Sequence, residues 1–243
     1  MIQRTLALLY GVVCYLVFFG TFLYLFGFAG DLWVPKSVSV GEPAQSAAAA
    51  VLINLALTTL FGVQHSVMAR PSFKKWWTKF VPKPVERSTY VLLSSGIFIL
   101  MYWVWQPMPA ELWNVKGAIL GGLLWAVFFL GALVVLASSF MINHFDLFGL
   151  RQTFLYFQGR PYTPLPFKVT GLYQWVRNPL MLGFLLSFWS APVMTHGRLL
   201  FAAAMTLYIF IGVYFEERNI AEHLGEPYVR YRNRTSMILP LPK

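Results

Sequence analysis

Two polar stretches flank the last apolar segments of the chain and carry its most promising chemistry. The first spans residues 168–183 and places Arg177 and Asn178 directly before Pro179. Proline suits the first turn of a helix, so both side chains are predicted at a helix N-terminus, whose free N–H groups favour an anion such as a carboxylate. Arg177 could add a bidentate bond to that anion. The simpler alternative is that Arg177 reaches lipid headgroups and Asn178 caps the helix.

The second stretch spans residues 216–231 and begins with Glu216 and Glu217, directly after an apolar segment. Carboxylates at the C-terminus of a helix oppose its dipole. This local penalty suggests a further use for the pair. They could bind Arg177 or a neighbouring arginine, or accept hydrogen bonds from the amine or ribose hydroxyls of a ligand. The alternative is a solvated helix end.

Three further residues are candidates for proton transfer. His65 is predicted in the inner half of the second apolar segment, and His144 and Asp146 where the fourth segment ends. An aspartate that orients a histidine raises its basicity. His144 and Asp146 face each other poorly within one helix, so a contact between Asp146 and His65 is at least as plausible. Each histidine could instead be an interfacial hydrogen-bonding residue.

The composition indicates that these residues are positioned by membrane helices. The chain is 58% hydrophobic and only 12% charged, whereas soluble domains carry roughly 25% charged residues. Several apolar runs reach the length of about 20 residues that crosses a bilayer. The six apolar segments are predicted at 5–28, 47–69, 88–105, 117–142, 180–193 and 199–215. We therefore predict an all-α polytopic membrane helical bundle of five to six spans, including a C-terminal helical hairpin.

The whole chain, 1–243, is predicted to form a single membrane-embedded domain. Residues 1–142 form a four-span half, and residues 143–243 supply a cofactor-binding loop, the hairpin and a tail. The segment at 180–193 is too short for an easy full crossing. Ionisable residues gather at the ends of the predicted spans rather than within them, which argues against a transport path.

Charge predicts the orientation in the membrane. With the N-terminus placed inside, all but three of the 19 lysines and arginines fall on one side, which the positive-inside rule assigns to the cytoplasm. The exceptions are Lys36, Lys116 and Arg198. We expect a multi-pass protein of a bacterial-type inner membrane, in contact with lipid. The net charge of +10 is thereby explained without nucleic acid. The single cysteine, Cys14, excludes an intrachain disulfide; no metal and no obligate protein partner are inferred.

The two polar stretches together resemble the membrane methyltransferases related to isoprenylcysteine carboxyl methyltransferase. That family pairs a Gly-x-Tyr element and an Arg-His-Pro-x-Tyr-x-Gly block with a downstream Glu-Glu block. The matching residues here are Gly171, Tyr173, Arg177, Asn178, Pro179, Gly183, Glu216, Glu217, Leu224, Gly225, Tyr228, Tyr231 and Pro240. Asn178 stands where the family has histidine and Met181 where it has tyrosine. Asparagine can hydrogen-bond but cannot titrate, so Asn178 is assigned to cofactor binding only.

The front half narrows the resemblance to the methanethiol S-methyltransferases. It is carried by residues 63–71 around His65, by 143–152 and by 159–164. The resemblance implies that methanethiol, a small thiol, is methylated to dimethyl sulfide, with S-adenosyl-L-methionine as cofactor at the cytoplasmic face. The implied cofactor-binding residues are Arg151, Gly171, Leu172, Tyr173, Arg177, Asn178, Pro179, Gly183, Glu216, Glu217 and Tyr228. The candidate catalytic residues are His65, His144 and Asp146.

Two other functions are compatible with the same motifs. One is a methyltransferase for a larger acceptor, lipid-like or prenylated, which would need a broad groove open to lipid. The other is a non-catalytic membrane accessory protein of NnrU type. For Arg151, the alternative to binding the cofactor carboxylate is contact with a lipid headgroup.

Overall fold

The computed structural model describes residues 1–42 and 46–240 and shows an all-α membrane bundle. Its helices are α1 (Ile2–Gly30), α2 (Ala47–Ala69), α3 (Pro71–Trp77), α4 (Lys83–Val104), α5 (Ile119–Ile142), α6 (His144–Leu147), α7 (Leu150–Phe157), α8 (Pro179–Trp189), α9 (His196–Leu224) and α10 (Glu226–Arg234). A 3-10 turn covers Gly171–Gln174, and two short strands are β1 (Glu111–Asn114) and β2 (Val193–Thr195). Lys243, part of the predicted cytoplasmic tail, lies outside the described residues. The predicted fold class is confirmed.

Five of these helices, α1, α2, α4, α5 and α9, are long and apolar enough to cross a membrane. Their outward faces carry large apolar side chains, as a lipid-facing surface requires. On α5, for example, Leu123, Phe129 and Leu133 are 59%, 47% and 60% exposed. The predicted short segment forms α8, whose 11 residues span only about 16 Å. Because the hydrocarbon core is about 30 Å thick, α8 covers half of it.

Helix α8 lies against α5 through two glycines. A Cβ atom at Gly183 would lie 2.6 Å from the carbonyl oxygen of Gly131, and a Cβ at Gly131 would lie 2.6 Å from that of Gly183. The Ser187 hydroxyl donates to the carbonyl of Phe128 at 2.9 Å. Small residues that let backbones approach are typical of helix contacts in membranes. Gly183, which the resemblance assigns to the cofactor, thus also lets α8 approach α5.

A buried ion pair closes the end of the bundle at which α9 begins. The Arg198 guanidinium, 3% exposed, bonds Asp31 at 2.7 Å and the carbonyl of Ala29 at 3.0 Å. Strand β1 pairs antiparallel with β2 beside it, and an aromatic core of Phe28, Trp105 and Phe201 lies next to it. From the sequence, Arg198 was counted only as one of three basic residues on the outer side. The structure adds a role, because the residue ties α9 to the end of α1.

The last long helix also extends further than its apolar pattern predicts. The predicted segment ends at residue 215, but α9 continues to Leu224. Glu216 and Glu217 therefore lie more than a turn before the helix C-terminus, where the dipole penalty is weak. The argument that their position at a helix end costs stability was wrong. The long connection at 143–178 is also more ordered than expected, since it contains α6, α7 and the 3-10 turn.

Candidate functional site

The segment before α8 and the end of α9 meet through a buried bidentate ion pair. Arg177 donates from Nε and Nη2 to the two carboxylate oxygens of Glu217, at 2.7 and 2.8 Å. Their side chains are 6% and 10% exposed. The Nη1 atom donates to the carbonyls of Arg232, at 2.9 Å, and Thr235. Bidentate arginine–carboxylate pairs fix geometry as well as adding energy. All three nitrogens of the Arg177 guanidinium thus bond to the protein itself.

The chain after α10 joins the same cluster. Arg177 donates its backbone N–H to the carbonyl of Ser236 at 2.9 Å, and Asn178 donates to that of Met237 at 3.1 Å. The Asn178 side-chain amide also donates to Glu217 Oε1 at 3.0 Å and to the Met237 carbonyl at 3.2 Å. Asn178 makes no side-chain cap bond to α8, so the simple capping alternative is wrong. Its amide holds the Glu217 carboxylate and the C-terminal segment in place.

The Glu216 side chain lies in a different environment from that of Glu217. Successive residues on a helix point roughly 100° apart, so Glu216 faces away from the ion pair that holds Glu217. The side chain is exposed, and within residues 1–42 and 46–240 its carboxylate forms no hydrogen bond and no ion pair. Its negative charge acts on Tyr173 and, more weakly, on Tyr228. Glu216 is therefore a carboxylate available to a ligand at the edge of the cluster.

Tyr173 forms the wall of this region together with aromatic residues of the tail. Tyr231 donates its hydroxyl to the carbonyl of Tyr173 at 2.6 Å. The Phe167 ring packs against Tyr228 and Tyr231 at 5.9 and 5.7 Å between centroids. Burial raises the pKa of Tyr228 to about 12, and the negative charge of Glu217 contributes. Tyr228 therefore stays protonated at neutral pH and can donate a hydrogen bond.

The 3-10 turn that carries Tyr173 is fixed against the end of α5. Gly171 has a φ of +52°, as its predicted unusual backbone geometry requires. A Cβ atom there would also lie 2.7 Å from the sulfur of Met141. Leu172 directs its N–H to the same sulfur at 3.4 Å, and Pro179 is buried at the start of α8. The turn is thus held by α5 on one side and by the tail on the other.

His65 occupies a separate aromatic niche between α2, α4 and α9. Its ring lies 5.2 Å from Phe61, 5.1 Å from Tyr90 and 6.1 Å from Tyr208. Its Nδ1 atom lies 3.4 Å from the Ser94 hydroxyl. In the described part of the chain, Nε2 has no hydrogen-bond partner. His65 therefore keeps one ring nitrogen for a bound molecule.

Two tyrosines connect the surroundings of Glu216 with those of His65. Tyr208 lies about two turns before Glu216 on α9, roughly 80° around the helix, and the Glu216 charge acts on both Tyr208 and Tyr90. Both rings contact His65. The eight residues from Tyr208 to Glu216 rise about 12 Å along the helix, so a ligand that contacts both Glu216 and the niche of His65 must be elongated.

Neither expected pairing of an aspartate with a histidine is formed in the described residues. Asp146 instead accepts from Arg151 at 2.8 Å and from the Tyr162 hydroxyl at 3.3 Å. Arg151 also bonds the carbonyl of Thr163 at 3.0 Å. The pairing prediction was wrong, because the coil after α7 folds back and supplies partners to both charges. Arg151 thus connects that coil to Asp146.

His144 is enclosed rather than open to a ligand. Its Nε2 lies 2.9 Å from the Tyr15 hydroxyl and its Nδ1 lies 2.8 Å from the Ser139 hydroxyl. The ring stacks on Phe140 at 4.4 Å, with 6° between the planes, and the residue is 4% exposed. Both nitrogens are occupied, so this histidine fastens α1 to the end of α5.

Acid should destabilise the protein partly through His144. Burial lowers its pKa below the usual 6.5, so below pH 6.5 the unfolded chain binds a proton that the folded chain excludes. Stability is then complete above pH 6.5 and falls as pH drops through that value, by at most about 1.4 kcal/mol per pH unit. In melting curves of detergent-solubilised protein between pH 7 and 5.5, His144→Gln should melt lower at neutral pH but lose less on acidification. His223→Gln, at an exposed position, is the matched control, and an unchanged acid slope in His144→Gln would contradict the assignment.

Three residues near His65 were not singled out by their sequence pattern: Tyr90, Tyr208 and Arg87, whose guanidinium carbon lies 5.0 Å from the centre of the Tyr90 ring. Tyr90 and Tyr208 are aromatic residues inside apolar helices, where such residues are ordinary. Arg87 was counted among the basic residues that orient the chain. Its one distinguishing signal is its place in the first turns of α4, beside an apolar face, rather than in an extended loop.

Several named proteins are similar in sequence to this chain, two of them over almost its full length. The methanethiol S-methyltransferase of Mycobacterium tuberculosis is 51% identical over 242 residues, 99% of this chain and 98% of that protein. The methanethiol S-methyltransferase of Crocosphaera subtropica is 46% identical over 98% of this chain and 93% of its own length. Nurim of Xenopus laevis is 30% identical over 165 residues, 65% of this chain and 58% of that protein. No family model matches the chain, and no solved structure matches it.

Proposed function

Because the chain belongs to the methanethiol S-methyltransferase family, we propose that it transfers a methyl group from S-adenosylmethionine to methanethiol. The products are dimethyl sulfide and S-adenosylhomocysteine. The observation that carries this proposal is a Glu216 carboxylate without a partner in the described residues, whose charge acts on Tyr90 and Tyr208. The rings of these two tyrosines contact His65, whose Nε2 is also without a partner there. The Glu216 carboxylate would accept hydrogen bonds from the ammonium group of the methyl donor, and the His65 Nε2 would accept the thiol proton.

The residues around Glu216 fit a donor of this kind. S-adenosylmethionine supplies an electrophilic methyl group on a positively charged sulfur when it is bound. The ion pair of Arg177 with Glu217 fixes the wall behind the site. Tyr173 adds an aromatic face and Glu216 a negative charge. Asn178 has no titrating role in this scheme, which suits an amide that only positions Glu217.

His65 is proposed to handle the proton of the acceptor. A thiol has a pKa near or above about 8.5, and only the thiolate is strongly nucleophilic. The free Nε2 of His65 would accept the S–H proton as the sulfur attacks the methyl carbon and the bond to the sulfonium breaks. Holding both reactants in line can contribute up to about 7–11 kcal/mol. Aromatic rings from α2, α4 and α9 surround the His65 ring.

The same rings favour a small acceptor over a prenylated one. The Tyr208 ring lies so close to α2 that a Cβ atom at Gly62 would be 3.0 Å from it. The ring centroids of Phe61 and Phe98 lie 4.3 Å apart nearby. The helices therefore pack closely at Phe61 and Tyr208, which both contact the His65 ring. Methanethiol needs only the volume of a methyl group and a sulfur.

We place the site at the cytoplasmic face of a cell membrane, in a single domain that needs no partner protein. Basic residues are concentrated at the end of the bundle where Glu216 lies, as the positive-inside rule expects. The five apolar helices provide the anchoring in lipid.

Purified protein in detergent, supplied with methyl-labelled S-adenosylmethionine and methanethiol, should release labelled dimethyl sulfide. A prenylated thiol tested in parallel should give little product. Donor binding without methylation of methanethiol would reject the acceptor but retain the fold and the donor site. Absence of donor binding would reject the function as a whole.

A further inference from the structure

Arg87 offers an anchored guanidinium with two free nitrogens. Its Nε donates to the carbonyl of Leu147 at 2.8 Å, and its guanidinium carbon lies 5.0 Å from the centre of the Tyr90 ring. In residues 1–42 and 46–240, Nη1 and Nη2 have no acceptor, although the side chain is half-buried. A fixed fork with two unused donors matches the geometry of a carboxylate.

The charges around Arg87 leave room for an anion. Burial lowers the pKa of Lys74, and the positive charge of Arg87 lowers it further. Neither cation forms an ion pair in the described part of the chain. The negative charge of Glu86 opposes these effects on Lys74 but is the smallest of the three, so the two half-buried cations still favour a further negative group.

Glu216 carries the opposite charge near this region, since its charge acts on Tyr90, the ring that lies 5.0 Å from the Arg87 guanidinium. The Arg87 charge acts on the Glu216 carboxylate, yet the two side chains form no hydrogen bond or ion pair in the described residues. A free cation and a free anion whose charges act on each other without direct contact are complementary to a zwitterion. The amino-acid end of S-adenosylmethionine carries one ammonium and one carboxylate, in that arrangement.

We infer that Arg87 and Glu216 together bind the amino-acid end of the methyl donor, with Arg87 on its carboxylate and Glu216 on its ammonium. The inference rests on the proposed function and adds a binding residue outside the two polar stretches. The arginines first considered for the carboxylate are already occupied. Arg177 bonds Glu217 and two backbone carbonyls, and Arg151 bonds Asp146 and Thr163.

Two ligands test this inference by calorimetry on the full-length protein in neutral detergent. S-adenosylhomocysteine carries the amino-acid end, whereas 5′-methylthioadenosine lacks it. Arg87→Met should weaken S-adenosylhomocysteine binding by roughly 10- to 100-fold, as the loss of a charged hydrogen-bonding partner predicts. Binding of 5′-methylthioadenosine should change by less than about twofold. Arg87→Lys keeps the charge without the fork and should fall between the wild type and Arg87→Met.

Arg230→Met is the matched control, because the Arg230 side chain is 63% exposed in its ion pair with Glu226. It should bind both ligands like the wild type. Equal affinity of Arg87→Met and wild type for S-adenosylhomocysteine would overturn the inference, as would an equal loss for both ligands. So would an effect of Arg87→Met that appears only in anionic lipid, since Arg87 would then hold a headgroup. A wild-type protein that binds neither ligand would refute the proposed function itself.

Discussion

Glu217→Gln should destabilise the protein by about 3–5 kcal/mol and abolish measurable methyl transfer. The reason is that the substitution leaves the Arg177 guanidinium buried without a counter-charge, which is the expensive way to break a buried pair. It also weakens the bond from Asn178 to the carboxylate. Once the ion pair is broken, the segment before α8 and the chain after α10 separate from α9. Thermal unfolding in detergent and the dimethyl sulfide assay measure the two effects.

A matched control lies one and a half turns further along the same helix. Glu222 pairs with Arg218 at 3.1 Å, but both side chains are more than 60% exposed, and such pairs contribute little. Glu222→Gln should therefore melt like the wild type and retain activity. Replacing both Arg177 and Glu217 with methionine should recover part of the stability, since no charge remains buried. Wild-type stability of Glu217→Gln would show that the pair does not hold the site together.

His65→Gln should lower kcat by on the order of 10²- to 10⁴-fold at neutral pH, the range for losing a general base. Donor binding should be unchanged, because His65 lies in the acceptor niche rather than beside Glu216. The deficit should shrink as pH rises toward the thiol pKa, above about 8.5, since the thiolate then forms without help. Initial rates of dimethyl sulfide release between pH 6.5 and 9 measure this trend.

His223→Gln removes a histidine from an exposed position on α9 and should leave the whole rate profile unaltered. Asp146→Asn should reduce activity far less than His65→Gln, because Asp146 bonds Arg151 and Tyr162. Near-full turnover of His65→Gln at neutral pH would contradict its role as the base. A deficit that stays constant up to pH 9 would assign His65 to packing instead.

The sequence pattern predicts the helical framework well, because the signal for a membrane span is long and strong. Four long spans begin and end close to their predicted limits, since prolines and polar residues terminate the apolar runs there. The end of α9 is missed because residues 216–224 are polar yet still helical. Polarity marks the end of the apolar surface and does not mark the end of hydrogen bonding along the helix.

The site is only partly predictable, because side-chain partners depend on how distant segments pack. The two polar stretches were expected to meet, and the Arg177–Glu217 contact joins them across 40 positions. The partners of Asp146 come from a coil whose path no periodic pattern encodes. Arg87 and Arg198 look like ordinary charges near span ends. Only the packed bundle shows that Arg198 is paired with Asp31 whereas Arg87 keeps two free donors.

A structure of the protein with bound S-adenosylhomocysteine would probe the donor site without relying on turnover. We expect the nucleoside beside Tyr173 and the amino-acid end against Glu216, with the thioether sulfur directed toward His65. The Arg177–Glu217 pair should remain intact behind it. Density for the ligand at a different face of the bundle, or a Glu216 carboxylate turned away from it, would contradict the account.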